Sequence, residues 1–451
     1  MYQTISTPCG DVRGISEGGV TSYRGIRYAT ARRWEYPTLV TSWEGTYDAT
    51  AYGDCCYQRR AIYDEAKEKA FYYKEFREGL AFTYSEDCLS LNIFTPEGAK
   101  AGDDLPVIVY IHGGSFRSGS ANETCFDGPN WPHKGVIGVT VQYRLGLLGF
   151  ACLRELAEEA GGTGNYGLAD QIAALAWLQR NIAAFGGNPG NVTVMGQSAG
   201  AMSVQALCFS PKAEGLFHRA VMVSGGGITP MMKLKPAKSA MPLFARLFEE
   251  TGCKTLEELR AYDPVKLFGA YYALCEKHRD MAMIGVPYID GTYLVEPQAR
   301  SFRRARAIPT LIGTTEEDIM SPILYDMARK WCLMQAKKHG CKTYLWMFDR
   351  HLPGDESGSF HCADMWYWFG TLHRAWRPFE EKDYRLMEEM TDYLCRFAAC
   401  GDPNGDGHPT WLPIDRHQRK ALFLGEGETR MDRVKLPKLI RIMLRGRPVG
   451  F

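Results

Sequence analysis

The pentad Gly196-Gln197-Ser198-Ala199-Gly200 sets one serine between two glycines at the end of an apolar run, Val192 to Met195. A serine hydroxyl serves as a nucleophile when a tight turn presents it to a neighbouring base. A strand and a helix that meet that sharply leave no room for side chains two residues either way, which explains both glycines. With 47 glycines and about one serine in twenty, chance supplies ~0.25 such pentads in this length, so the pattern needs context. The context is the apolar run before it and an Ala/Met/Val-rich helical stretch from Ala201 after it. A helix that begins at Ser198 also aims its first N–H groups, that of Ala199 among them, at developing negative charge.

A second constellation is His112-Gly113-Gly114-Ser115-Phe116, which directly follows the apolar run Pro106 to Ile111. A glycine-rich turn presents backbone N–H groups to a cleft, and the oxyanion of a tetrahedral intermediate needs two or three such donors. The expected oxyanion donors are Gly114, Ser115 and Ala199, with His112 orienting the turn. The chemistry these parts suggest is acyl transfer through a serine.

Such parts need a frame. Leu89 to Phe94, Pro106 to Ile111, Val136 to Tyr143 and Val192 to Met195 are short apolar runs of the kind found in strands buried on both faces. Between the last two, Leu168, Ile172, Leu175, Leu178 and Ile182 recur at helical spacing within Leu168 to Phe185. Later strands are expected at Ala220 to Val223, Thr310 to Ile312 and Thr343 to Phe348. A long helix is expected from Tyr384 to Cys400, stopped by Gly401-Asp402-Pro403-Asn404. This alternation predicts an α/β fold, a mostly parallel twisted sheet flanked by helices. The charged, aromatic segment Arg60 to Leu80 reads as a solvated surface helix in preference to a lid.

Composition narrows the classes. With 53 basic and 52 acidic residues the net charge is +1, which leaves no electrostatic footprint for nucleic acid or an anionic membrane. No stretch is long and apolar enough for a membrane span, and Met1 to Thr21 lacks an export signal's pattern, so a soluble, cytoplasmic protein is expected. The 14 cysteines are scattered without Cys-x-x-Cys knuckles. Free thiols are therefore expected, with no zinc site and no cofactor. No linker or repeat divides the chain, and residues 1–451 read as one domain.

Taken together, the chain resembles the type-B carboxylesterases, the α/β-hydrolase family that includes the cholinesterases. Glu86-Asp87-Cys88-Leu89-Ser90-Leu91-Asn92 is similar to the family's second signature, with Ser90 where an aromatic is usual. Asn165 to Gln171, Phe185 to Pro189, Gly215 to Ala220 and Gly401 to Asn404 match further family motifs in order. The resemblance implies a triad whose base is His361, in Gly358-Ser359-Phe360-His361-Cys362-Ala363-Asp364. It places the acid at Asp318, in Gly313-Thr314-Thr315-Glu316-Glu317-Asp318, although the family usually has Glu followed by Gly there; Glu317 is the alternative. It also implies paired charges Arg33–Glu86 and Arg144–Asp170, and a serine, Ser224, behind the histidine. Gln197 stands where the family often carries Glu, which removes one negative charge beside Ser198. The stretch from Asp318 to Lys342 is shorter than the family's usual gorge wall, which implies a shortened cap and an open cleft.

The expected function is hydrolysis of small-molecule carboxylic esters, with broad specificity, through an acyl-Ser198 intermediate and without metal. The alternative is a non-catalytic adhesion or scaffold protein of the same fold. Such relatives typically lose the serine, and here every triad residue type is present. A cholinesterase is disfavoured because Cys56 to Cys88 contains no tryptophan to bind a cation.

Overall fold

The computed structural model describes residues 1–228, 234–278, 285–297, 301–302 and 305–435. The strands that concern the site are β1 (Tyr2–Thr7), β2 (Gly10–Glu17), β3 (Val20–Arg27), β4 (Thr46–Asp48), β5 (Ser90–Pro96), β6 (Leu105–Ile111), β7 (Ile137–Val141), β8 (Gly187–Gln197), β9 (Arg219–Val223), β10 (Thr310–Thr315), β11 (Thr343–Phe348), β12 (Ala421–Leu424) and β13 (Arg430–Asp432). They form one sheet in the order β1-β2-β3-β5-β7-β6-β8-β9-β10-β11-β12-β13, with β4 paired to β2. From β7 across to β12 every neighbouring pair is parallel. The N-terminal strands and β13 are antiparallel edges.

The parallel block is where the apolar runs lie. Ile137–Val141 and Thr343–Phe348 are buried at every residue, because helices cover both sheet faces. On one side pack α3 (Tyr166–Asn181), α4 (Ala199–Phe209) and α5 (Ser321–His339); on the other, α6 (Met365–Phe369) and α7 (Glu381–Cys400). The two sides form separate apolar clusters, one holding Leu168, Val204 and Trp331, the other Trp346, Trp366 and Trp368. Two implied ion pairs are present. Arg144 grips Asp170 with Nη2–Oδ1 at 2.7 Å and Nε–Oδ2 at 2.8 Å, both residues fully buried, and Arg33 pairs with Glu86.

The segment Arg60 to Leu80 is helical and mostly exposed, as expected of a surface helix, but it is broken in two and buries Glu75, Phe76 and Arg77. It folds as two short helices, α1 (Glu65–Glu68) and α2 (Ala70–Phe76). Lys69 separates them in a non-helical conformation, φ −138° and ψ 48°. Four charges explain why the segment is packed against the body. Arg77 binds Glu65 at 2.7 Å and Glu123 at 3.3 Å, and Arg60 binds Glu123 at 2.9 Å. All four side chains are under a tenth exposed. Long arginine stems bury well when the guanidinium finds carboxylates, so a charged, largely exposed segment is tied by its inner face to the body.

Candidate active site

Ser198 stands on the turn between β8 and α4 with φ 55° and ψ −120°, a backbone conformation that L residues rarely adopt. The turn is held on both sides. The Ser198 N–H donates to Val223 O at 2.8 Å, and its carbonyl accepts from Met202 N–H at 3.0 Å. The flanking glycines are obligatory: a Cβ on Gly196 would lie 2.3 Å from Gly200 O, and one on Gly200 would lie 2.0 Å from Ile111 O. The pentad is thus the only way β8, α4 and β6 can approach this closely.

His361 lies across from this turn on the loop before α6. Its Nδ1 is 2.7 Å from Asp318 Oδ1. Asp318 caps the turn after β10; its Oδ2 accepts from Thr314 Oγ1 at 2.9 Å and Thr315 Oγ1 at 3.2 Å, and its Oδ1 from Ile319 N–H at 2.8 Å. Burial alone would raise this carboxyl, but the His361 ring and the Ser224 and Thr314 hydroxyls hold it below its ordinary value. Glu317 points elsewhere. Its Oε2 accepts the Ser359 N–H at 2.8 Å and lies 3.6 Å from His351, and its side chain is half exposed. Of the two acids considered from the sequence, Asp318 is the one that reaches His361.

The oxyanion turn follows β6. Ser115 and Phe116 adopt φ of 57° and 61°, which coils the backbone. Among the described residues, the N–H groups of Gly114, Ser115 and Ala199 donate to no backbone carbonyl. His112 is fully buried, with Nδ1 2.8 Å from Gly113 O and its ring stacked on Tyr143 at 4.6 Å. Burial pushes its pKa down to about 4, so it is a neutral brace for the turn.

Ser198, His361 and the turn open onto one cavity of about 600 Å³. Its lining mixes apolar and aromatic side chains, Tyr72, Phe76, Phe126 and Met365, with charged ones, among them Arg60, Arg77 and Glu123 of the buried cluster. The α1–α2 wall is the part of the site that the sequence reading did not find. Its signal was present in the density of Arg, Glu, Tyr and Phe between residues 60 and 77. A further unforeseen contact is Gln197, whose Nε2 lies 3.0 Å from His361 Nε2. Among the described residues no three His, Cys, Asp or Glu side chains cluster as a metal site, and no helix is long and apolar enough to cross a membrane.

The arrangement can lower a hydroxyl's barrier to attack, hold a tautomer and stabilise an oxyanion. Comparison with known proteins gives the family. A family model described as the carboxylesterase family matches residues 2–335 and 318–439. The para-nitrobenzyl esterase of Bacillus subtilis is 37% identical over 480 residues, covering 94% of this chain and 95% of the relative. The medium-chain fatty acyl-CoA hydrolase precursor of Anas platyrhynchos is 35% identical over 497 residues, covering 92% of this chain and 87% of the relative. Among solved structures, a thermophilic PNB esterase superposes with a TM-score of 0.83 at 27% identity, covering 96% of this chain and 98% of that one. An esterase from Clostridium hathewayi, titled as able to hydrolyse aliphatic aromatic polyesters, superposes with a TM-score of 0.82 at 26% identity, covering 96% of each chain.

Proposed function

The chain belongs to the carboxylesterase family and hydrolyses carboxylic esters, and from that premise we propose that it does so through an acyl-enzyme formed on Ser198. The observation that carries this reading is the 2.7 Å contact between Asp318 and His361, set on the same cavity as a serine with positive φ.

The steps are those of a serine nucleophile served by a histidine base. Ser198 Oγ attacks the ester carbonyl while His361 Nε2 takes the hydroxyl proton. The carbonyl oxygen becomes an oxyanion that the N–H groups of Gly114, Ser115 and Ala199 receive; each such donor is typically worth ~10²–10³ in rate. Asp318 fixes the proton on Nδ1 and stabilises the imidazolium. The C–O bond to the alcohol then breaks, and the departing alkoxide takes the proton from Nε2. A water molecule repeats the attack on the acyl group and gives a proton to His361; the bond from the acyl carbon to Ser198 Oγ then breaks, His361 returns the proton to Oγ, and the acid departs.

We assign a broad range of esters to this cleft, aromatic ones included, since Tyr72, Phe76 and Phe126 line it. The short stretch between Asp318 and Lys342 supports an open entrance. The test is a panel of 4-nitrophenyl esters of increasing acyl length, hydrolysed by the wild type and by Ser198→Ala. Loss of nearly all activity in the variant is expected, with a burst of nitrophenol in the wild type; hydrolysis at the wild-type rate by Ser198→Ala rejects the mechanism.

A further inference from the structure

His361 Nε2 is the atom that must accept the proton of Ser198, and in the structure another group stands on it. Gln197 Nε2 lies 3.0 Å away. With the Nδ1 proton directed at Asp318, Nε2 of the neutral ring offers a lone pair and the carboxamide N–H donates to it. Gln197 is only 4% exposed. Its other end reaches the oxyanion turn, where a Cβ on Gly113 would lie 2.6 Å from its Oε1. The carboxamide therefore spans from the base to the turn, directly beside the nucleophile in sequence.

We propose that Gln197 is a positioning residue for the base: its carboxamide caps the His361 Nε2 lone pair in the resting enzyme, keeps the ring neutral and aimed, and cedes that lone pair to the Ser198 hydroxyl when an ester fills the cleft. The inference rests on His361 being the base for Ser198.

The physical need is a conflict between the two jobs of a triad acid. Burial disfavours the imidazolium, yet the Asp318 carboxylate on Nδ1 favours it and helps to hold His361 above its ordinary value. A ring that is already protonated cannot take a proton from serine. A donor on Nε2 works the other way. It stabilises the neutral form, because an imidazolium would turn its own N–H toward the carboxamide N–H. A carboxylate at position 197 would do the opposite and accept from the imidazolium. Among the described residues, Cys362 and Asp364 on its own segment also interact with the ring, and Tyr72 of α2 lines the same cavity. Burial raises the Cys362 thiol and the Tyr72 hydroxyl, so both are neutral where imidazole titrates. Burial also lifts Asp364 to about 7, so an Asp364→Asn background removes its share from the measurement.

The experiment is the pH dependence of kcat/KM for 4-nitrophenyl butyrate, whose acid limb reports the base in the free enzyme. In Gln197→Glu the acid limb is expected to move up by about one pH unit or more, as an adjacent carboxylate does. In Gln197→Met it moves up less, since the cap is lost without a charge gained. Should either variant turn over too slowly, 15N-histidine NMR of the folded protein gives the His361 titration directly, with His361→Gln identifying its resonance. A His361 titration unchanged in Gln197→Glu overturns the proposal. Activity that survives Ser198→Ala overturns instead the mechanism beneath it, so the two failures are distinguishable.

Discussion

Asp318 and Glu317 are neighbours in the chain, but their carboxylates serve different partners: Asp318 holds His361 Nδ1 at 2.7 Å, and Glu317 holds the backbone N–H of Ser359 at 2.8 Å. Asp318→Asn is expected to lower kcat by about 10⁴, as loss of the triad acid's charge does by favouring the wrong tautomer. Glu317→Gln, which keeps an acceptor for Ser359, is expected to stay within a few fold of wild type. Steady-state kinetics of the two variants on one nitrophenyl ester checks the assignment, and equal losses would refute it.

The elbow tolerates no extra carbon. Gly200→Ala places a methyl 2.0 Å from Ile111 O, which is backbone of β6 and cannot swing aside. The expected cost is about 2–4 kcal/mol of stability, together with a fall in kcat as Ser198 shifts. Urea unfolding alongside an activity assay reads both. A stable, fully active variant would contradict the packing described here.

Glu123 bridges Arg60 and Arg77 in the buried wall of the cleft. Burial works against its charge, but Arg77 and Arg60 hold its pKa below the ordinary 4.5. The sign follows from linkage: a lowered carboxylate contributes stability that is present above about pH 4.5 and lost as pH falls through its folded value. Glu123→Gln leaves two buried guanidiniums short of a counter-charge and is expected to cost about 3–5 kcal/mol at pH 7. Its urea midpoint is also expected to change less than that of wild type below pH 4.5.

Asp364 shows the opposite sign. Its Oδ2 accepts from the indoles of Trp368 at 3.2 Å and Trp346 at 3.4 Å, while its buried Oδ1 has no hydrogen-bond partner among the described residues. Burial, with Asp318 nearby, pushes it up to about 7, so a proton on Oδ1 is the favoured state below that. The unfolded chain releases this proton near 3.8. The native state therefore loses up to about 1.4 kcal/mol per pH unit between those values relative to the unfolded state. Asp364→Asn is expected to flatten this decline, and to match or exceed wild-type stability at pH 8. Denaturation curves from pH 4 to pH 8 decide it, and parallel declines in both proteins would count against a proton on Asp364.

The amino-acid order alone determined the parts whose information is local. Thr343–Phe348 was legible to the residue because a strand buried on both faces must be continuously apolar. The elbow at Ser198 and the turn at Gly114 and Ser115 were legible because glycine spacing follows from backbone clearance. Strands β1 to β3 went unread: β1 is the sheet's edge, all three carry partly exposed residues, and their alternating pattern is weak beside the buried runs. The N-terminal start of α7, at Glu381 instead of Tyr384, is set by a capping box between Glu380 and Asp383.

Tertiary structure decided what depends on groups far apart in the chain. Whether Glu317 or Asp318 meets His361 is fixed by how the turn after β10 lies against the loop before α6. Whether residues 60–77 face water or the cleft is fixed by Glu123, which reaches them from another loop. Whether His361 meets Ser198 or Gln197 first is fixed by which of two adjacent side chains the strained elbow turns toward the ring. In each case the sequence supplies the competing groups, and only three-dimensional packing sets which of them comes within hydrogen-bond distance.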